Sequence, residues 1–265
     1  MHSAATTTLQ KKKTNLFMVL SGIFLANALL AELIGVKIFS GEALFGLPGA
    51  QLGILGSKLD FNLTAGVIIW PVVFVTTDII NEYFGKQGVK KVSILTVILI
   101  LYAFLVITIV TGLPPAQFWV DLNSKDPQGN PFNIDFAFNS IYRQGLGIII
   151  GSVIAFLISQ LLDATVFHWL RNYTGSKRIW LRATGSTLVS QLVDSLVVLF
   201  VAFYLFGNWS MELVLSVAAI NYIYKFSIAI LLTPVLYLAH YLIDGYLGHR
   251  NAETLIETAA IESEQ

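Results

Sequence analysis

Residues 70–91 read WPVVFVTTDIINEYFGKQGVKK, and this stretch decides the fold. It opens as an apolar membrane helix. It then sets Asp78, Asn81 and Glu82 on one helical face, at offsets 0, 3 and 4. It leaves through Gly85 and the lysines Lys86, Lys90 and Lys91. A carboxylate at membrane depth is costly and needs a reason. Two later segments supply candidate partners: Ser159-Gln160-Leu161-Leu162-Asp163 and Ser190-Gln191-Leu192-Val193-Asp194. Each places its Gln and Asp at i and i+3, on one face of a helix. The stretch therefore points to a polytopic membrane protein with a polar site between its helices.

Composition agrees. The 265-residue chain is 55% hydrophobic and only 12% charged, against ~25% charged in a soluble domain. Its mean hydropathy is +0.73. The net charge is zero, so nothing indicates a nucleic-acid partner. The absence of cysteine excludes disulfides and thiolate metal sites. The apolar run after Lys11-Lys12-Lys13 is too long for a signal core and lacks a small-residue cleavage site, so it reads as a retained first span.

The expected fold is all-α, with six transmembrane helices in a bilayer at roughly 16–36, 61–82, 89–111, 146–168, 186–206 and 213–240, each near the ~20 residues a span needs. Residues 1–15 read as a cytoplasmic N-terminal tail, disordered through the lysines. Residues 16–244 read as one transmembrane domain and 245–265 as a solvated, partly helical cytoplasmic tail. Cations set the orientation. Lys11, Lys12, Lys13, Lys86, Lys90, Lys91, Arg171, Lys177, Arg178, Arg182 and Arg250 fall on one side; Lys37, Lys58, Lys125 and Arg143 fall on the other. Both termini are then cytoplasmic. The loop Ile38–Asp60 reads as a short hairpin or a re-entrant segment. In the loop from Gly112 to Gly145, Phe132, Phe136, Ile141 and Tyr142 fit a short interfacial helix or an irregular wet loop equally well.

Small residues recur every four positions in Gly147, Gly151, Ala155 and Ser159, and the series ends at Asp163; Ser186, Ser190 and Asp194 repeat the idea. Such stripes let helices approach closely. Helical rise puts Asp78, Asp163, Asp194 and Lys225 in the inner half of the bilayer. Lys225 with Asp194 or Asp163 would make a structural ion pair, but the carboxylates and carboxamides outnumber it. No nucleophile elbow, zinc helix or Walker loop is present, so no catalysis, metal or cofactor is expected. Carboxylates accept paired N–H donors, and Trp70, Phe74, Tyr222 and Tyr224 offer faces for stacking on a flat polar heterocycle.

Thr77-Asp78-Ile79-Ile80-Asn81-Glu82-Tyr83-Phe84-Gly85-Lys86 resembles the signature of the queuosine precursor transporter family, also grouped as vitamin uptake transporters. The block from Ser159 to Phe200 is similar to the same family throughout. Phe84 departs from the tyrosine expected there, and the 112–145 loop is longer than usual. The resemblance implies an inner-membrane importer of 7-deazaguanine bases, such as the 7-cyano and 7-aminomethyl precursors of queuosine or queuine. It also implies a plan similar to the vitamin-binding subunits of energy-coupling-factor transporters. Such a base presents N1–H beside an exocyclic amine, which suits Asp194 or Asp163. Its O6 suits a Gln amide or Lys225, and a cationic aminomethyl group wants a second carboxylate. The substrate-binding residues expected on this ground are Asp78, Asn81, Glu82, Gln160, Asp163, Gln191 and Asp194; Lys225 is added from its burial and charge.

Four functions compete: a carrier for deazapurines, a binding subunit needing a separate ATPase, an intramembrane enzyme using paired aspartates, and a structural protein with an ion pair. Uptake by the chain alone favours the first, and co-purification with an ATPase the second. The base preferred, a proton as coupling ion and a homodimer as the assembly all stay open.

Overall fold

The computed structural model describes residues 2–35, 37–54, 57–143, 146–174, 178–205 and 208–264. Lys177, counted above among the inner cations, lies outside them. The architecture is helical: α1 (His2–Ile34), α2 (Trp70–Thr111), α3 (Gln117–Leu122), α4 (Ile134–Tyr142), α5 (Leu146–Thr174), α6 (Ile179–Leu199), α7 (Met211–Leu231), α8 (Thr233–Leu247) and α9 (His249–Glu264). Five of the described helical stretches are long and apolar enough to cross a membrane: Leu9–Ile34, Trp70–Thr111, Ile150–Thr174, Ile179–Leu205 and Met211–Leu231. The chain is a multi-pass membrane protein.

α2 joins what the sequence divides into two spans. Straight, its 42 residues would measure ~63 Å, about twice the hydrocarbon thickness of a bilayer. It is not straight. Gly85 sits at φ 65, ψ −175, a region essentially reserved for glycine. A Cβ added at Gly88 would fall 3.3 Å from Ile80 Cγ2, although eight helical residues rise ~12 Å. The arms 70–84 and 86–111 are therefore sharply bent around Gly85. The last apolar segment is also divided: α7 stops at Leu231, and α8 starts at Thr233 with Pro234 in its first turn. Proline removes one rung of the backbone ladder there.

The expected N-terminal tail is helical rather than disordered, and the expected C-terminal tail is helical and packed rather than solvated. α1 begins at His2, so the lysine run is its first part rather than a disordered lead. α9 buries Ala252, Leu255 and Ala259 against the bundle, because these recur at helical spacing on one face. The core joins Phe24 and Ala28 of α1, Ile80, Tyr83 and Val92 of α2, Phe156 and Phe167 of α5, Ala183 of α6 and Leu247 of α8. Met18, Ile98, Leu101 and Leu105 face outward, as lipid-facing positions do. Thr76, Thr77, Thr96 and Thr108 bond their hydroxyls to carbonyls four residues back, which removes unpaired donors from an apolar medium.

The first loop is a hairpin within a hairpin. β1 (Ile38–Ser40) pairs antiparallel with β4 (Asn62–Thr64), and β2 (Leu52–Ile54) with β3 (Ser57–Leu59). The sequence reading named the hairpin option but not the strands, since three-residue strands leave no clear alternation. Glu42 ties the layers: its Oε1 accepts Ala50 N at 3.1 Å and Phe61 N at 2.7 Å, and its Oε2 accepts Ser40 Oγ at 3.0 Å. In the second loop, Asn133 caps α4 by accepting Phe136 N at 3.0 Å. Phe136 and Ile141 are exposed on that helix, in keeping with the interfacial option.

Two outcomes follow. Gly85→Ala should cost ~1–3 kcal/mol, read as a lower melting temperature in detergent; an unchanged melt would contradict the left-handed break. These backbone donors hold the Glu42 carboxyl down from 4.5 to about 2. Its stabilising share is complete above pH 4.5 and disappears as pH falls through about 2. Glu42→Gln should therefore speed amide exchange at Ala50 and Phe61 at neutral pH, and should leave little further loss on acidification.

Candidate functional site

The site grows out of three helices in register. The arm 70–84 and α5 run the same way, and α6 runs against them. Steps of one to two turns along each stack side chains in tiers. Reading inward, α2 contributes Phe74, Asp78 and Glu82; α5 contributes Ser159, Asp163 and Arg171; α6 contributes Asp194, Ser190 and Arg182.

In the first tier Asp194 is ion-paired with Lys225 of α7, and both are largely buried. Ser159 Oγ donates to Asp194 Oδ1 at 3.4 Å. Glu32 of α1 is nearby and interacts electrostatically with Asp194; it accepts Ser152 Oγ at 2.5 Å. The sequence reading passed over Glu32, which sits close to the end of an otherwise apolar run.

The second tier mirrors the first. Ser190 Oγ donates to Asp163 Oδ1 at 3.0 Å. Each motif thus hands the serine proton to the other motif's aspartate. Each serine also bonds the carbonyl three residues back, Phe156 and Thr187 respectively. Asp78 is buried here, and the charged neighbours recorded for it are both carboxylates, Asp163 and Glu82. Its Oδ1 accepts no hydrogen bond from a described residue. Gln160 Oε1 accepts Thr77 Oγ1 at 3.1 Å. Gln191 is 4% exposed, and its Oε1 likewise has no donor among the described residues. Buried acceptors left open are rare in proteins and call for an explanation.

The third tier is closed. Arg182 is fully buried and donates to Glu82 Oε1 at 2.7 Å; Arg171 lies 3.7 Å from Glu82 Oε2. Arg171 and Arg182 were read as inner-face loop cations, but they lie on helices and face inward. Glu82 is committed to them, not to open space. Beside it His168 Nε2–H donates to Asn81 Oδ1 at 2.8 Å, the direction an amide oxygen requires. Below, Tyr83 OH donates to Asp244 Oδ1 at 2.6 Å, and its oxygen takes the proton of His240 Nδ1 at 2.9 Å.

Asp78, Asp163, Asp194 and Lys225, expected in the inner half of a bilayer, fall on two levels: Ser159 pairs with Asp194 and Ser190 with Asp163, about one turn, ~5.4 Å, apart.

An open groove runs along the arm 70–84. Its narrow inner cleft is bounded by Phe74, Asp78, Thr187 and the α7–α8 joint at Leu232 and Thr233. Its outer cleft, also narrow, is bounded by Trp70, Phe74, Tyr224 and Lys225. Phe74 is common to both. Gln191 lies one turn along α6 from Thr187, on the stripe facing the groove. Tyr222 lines neither cleft. Among the described residues no cluster of metal-ligating side chains occurs. The arrangement is suited to holding a flat, donor-rich ligand between aromatic faces and buried oxygen acceptors.

Comparison with known proteins agrees in kind. Residues 64–239 match the family described as "Putative vitamin uptake transporter". The chain is 31% identical over 199 residues to the "Probable queuosine precursor transporter" of Bacillus subtilis, covering 74% of this chain and 80% of that protein. It is 29% identical over 175 residues to the "Queuosine precursor transporter" of Escherichia coli, covering 66% and 71%. No solved structure matches it. The match spans α2 and both Ser-Gln-x-x-Asp helices, the elements that build the tiers, and the chain belongs to this vitamin uptake transporter family as a membrane transporter and not an enzyme.

Proposed function

We propose that the chain imports a 7-deazaguanine precursor of queuosine across the cell's inner membrane, through the groove beside the arm 70–84. The relatives' names supply the substrate class. The observation that carries the site is the buried, unaccepting Oδ1 of Asp78 at the groove wall. Two carboxylates side by side, Asp78 and Asp163, favour N–H donors or a cation over any acceptor. N1–H and the exocyclic amine of the base meet that demand at Asp78, and a cationic aminomethyl group would meet it at Asp163. Gln191 takes a further donor, and Phe74 and Trp70 cover the ring. Asp194, Lys225 and Gln160 border this site and hold its geometry. Asn81 and Glu82 act below it as its floor.

In this reading each arm of α2 is a span, and α7 with α8 forms the last. That gives six crossings with both termini cytoplasmic, and the lysines of the Gly85 turn lie on the cytoplasmic face. The inner cleft is narrow, so the base enters when the groove widens.

The test is uptake of labelled 7-cyano-7-deazaguanine and its 7-aminomethyl analogue into cells that neither make nor import them, with this chain as the added gene. Asp78→Asn should lower uptake roughly tenfold or more at matched membrane abundance, the value of a charged hydrogen bond. Undiminished uptake by that variant would remove Asp78 from the site. Glu82→Gln should behave differently: it strands Arg182 and should cost ~3–5 kcal/mol of stability, read as lost abundance and a lower melt. No uptake of either base by abundant wild type would contradict the substrate assignment.

A further inference from the structure

A second cavity, about 270 Å³, lies on the other side of the Gly85 turn and shares no residue with the groove. Three elements meet there. α1 brings Lys13, α2 brings Lys91, and α9 closes the side with Leu255 and Glu262. The floor is aromatic: Phe17 and Phe84 have ring centroids 4.9 Å apart. Gln10 and Gln87 add amides at the rim. Neither Lys13 nor Lys91 forms a salt bridge with a described residue. Two ammonium groups from different helices thus face one space, opposed by a single carboxylate.

The surroundings say what kind of anion fits. From the cavity, α1 and the arm 86–111 both climb into the apolar layer. Above Lys91, on its own helical face, come Ile94, Leu95 and Ile98, 42%, 44% and 56% exposed. A soluble anion would use the lysines and leave this apolar track bare. A phospholipid uses both: its phosphate sits between the ammonium groups, and its chains follow the track. Glu262 requires a donor, and the rim amides suit hydroxyls. A headgroup with a phosphodiester and free hydroxyls supplies both.

We infer that the cavity between Lys13, Lys91 and Glu262 binds the phosphodiester headgroup of an anionic, hydroxyl-bearing phospholipid of the cytoplasmic leaflet. Lys13 and Lys91 hold the phosphate, and Glu262 accepts a headgroup hydroxyl. The bound lipid bridges α1, the Gly85 turn and α9, so it braces the bend without entering the transport groove. This site stands independently of the substrate reading.

The experiment uses the full-length protein in nanodiscs of phosphatidylcholine with a minor share of phosphatidylglycerol, with retained lipid counted by native mass spectrometry. Wild type should retain phosphatidylglycerol on the order of tenfold over phosphatidylcholine, from two lysines near an anionic headgroup. Lys13→Gln with Lys91→Gln should abolish that preference. Lys11→Gln with Lys90→Gln removes the same charge outside the cavity and should preserve it. Equal loss in both double variants would reduce the effect to general surface charge and overturn the inference. So would retention of the preference in the Lys13/Lys91 variant. Displacement of the lipid by millimolar inorganic phosphate would assign the cavity to a soluble anion instead.

Discussion

Arg182 is a full guanidinium with no exposed surface, and the rest of the bundle is arranged around keeping it satisfied. A charge at that depth is tolerable only when its partner is fixed and close. Glu82 is that partner, at 2.7 Å, and Arg171 shares the same carboxylate. The three residues come from three helices, so the cluster sets the height of α2, α5 and α6 against one another. Phe167 adds its ring face, 5.5 Å from the guanidinium carbon. Once Glu82 is placed, helical geometry leaves Asp78 one turn higher, and Gly85 must turn the chain immediately below. Site and bend are two consequences of one buried ion cluster.

Above that cluster the α5–α6 contact obeys a local two-fold logic. Ser159 reaches Asp194, and Ser190 reaches Asp163. Antiparallel helices carrying the same Ser-to-Asp spacing produce this exchange without further instruction. Close approach makes it feasible: a Cβ on Gly151 would lie 3.0 Å from Ala202 N, where α6 continues as the π-helical turn Phe200–Leu205. The exchange is broken in charge rather than in geometry. Asp194 has Lys225 and Asp163 does not, so one half of a near-symmetric pair is neutralised and the other stays rich in acceptors. That difference leaves one level of the bundle ion-paired and the other with carboxylate neighbours only.

How much of this was legible in the sequence depends on range. The helical face of Asp78, Asn81 and Glu82, the two Ser-Gln-x-x-Asp segments, the small-residue stripe leading to Asp163, and the option of pairing Lys225 with Asp194 all follow from local spacing. Arg171 and Arg182 were misassigned because a cation near a helix end looks the same in sequence whether it points to water or back toward a glutamate. Glu32 was missed for the same reason. α9 was taken for a solvated tail because its apolar residues are three alanines, one leucine and two isoleucines scattered among charges; only packing shows that Ala252, Leu255 and Ala259 share a buried face. The strands of the first loop are too short to show period two. The bend at Gly85 was visible as a glycine before lysines, but its left-handed φ belongs to tertiary structure.

The groove wall opposite Asp78 is a second place, after Gly85, where the helical ladder is interrupted. Leu232 closes α7 by donating to Ile228 O at 2.9 Å and accepts Leu236 N at 3.1 Å as α8 begins. Pro234 gives no donor between them. Compliance is therefore concentrated in the residues that bound the inner cleft, while α5, α6 and the arm 70–84 are locked by ion and hydroxyl pairs. α8 has its own tether farther in, where Tyr83 holds Asp244 and His240. A bundle tied rigidly on one side of a narrow cleft and jointed on the other widens at the joint, with Asp78 remaining on the fixed wall. The acceptor then keeps its position while access to it changes, which is the mechanical requirement of the proposed transport through this groove.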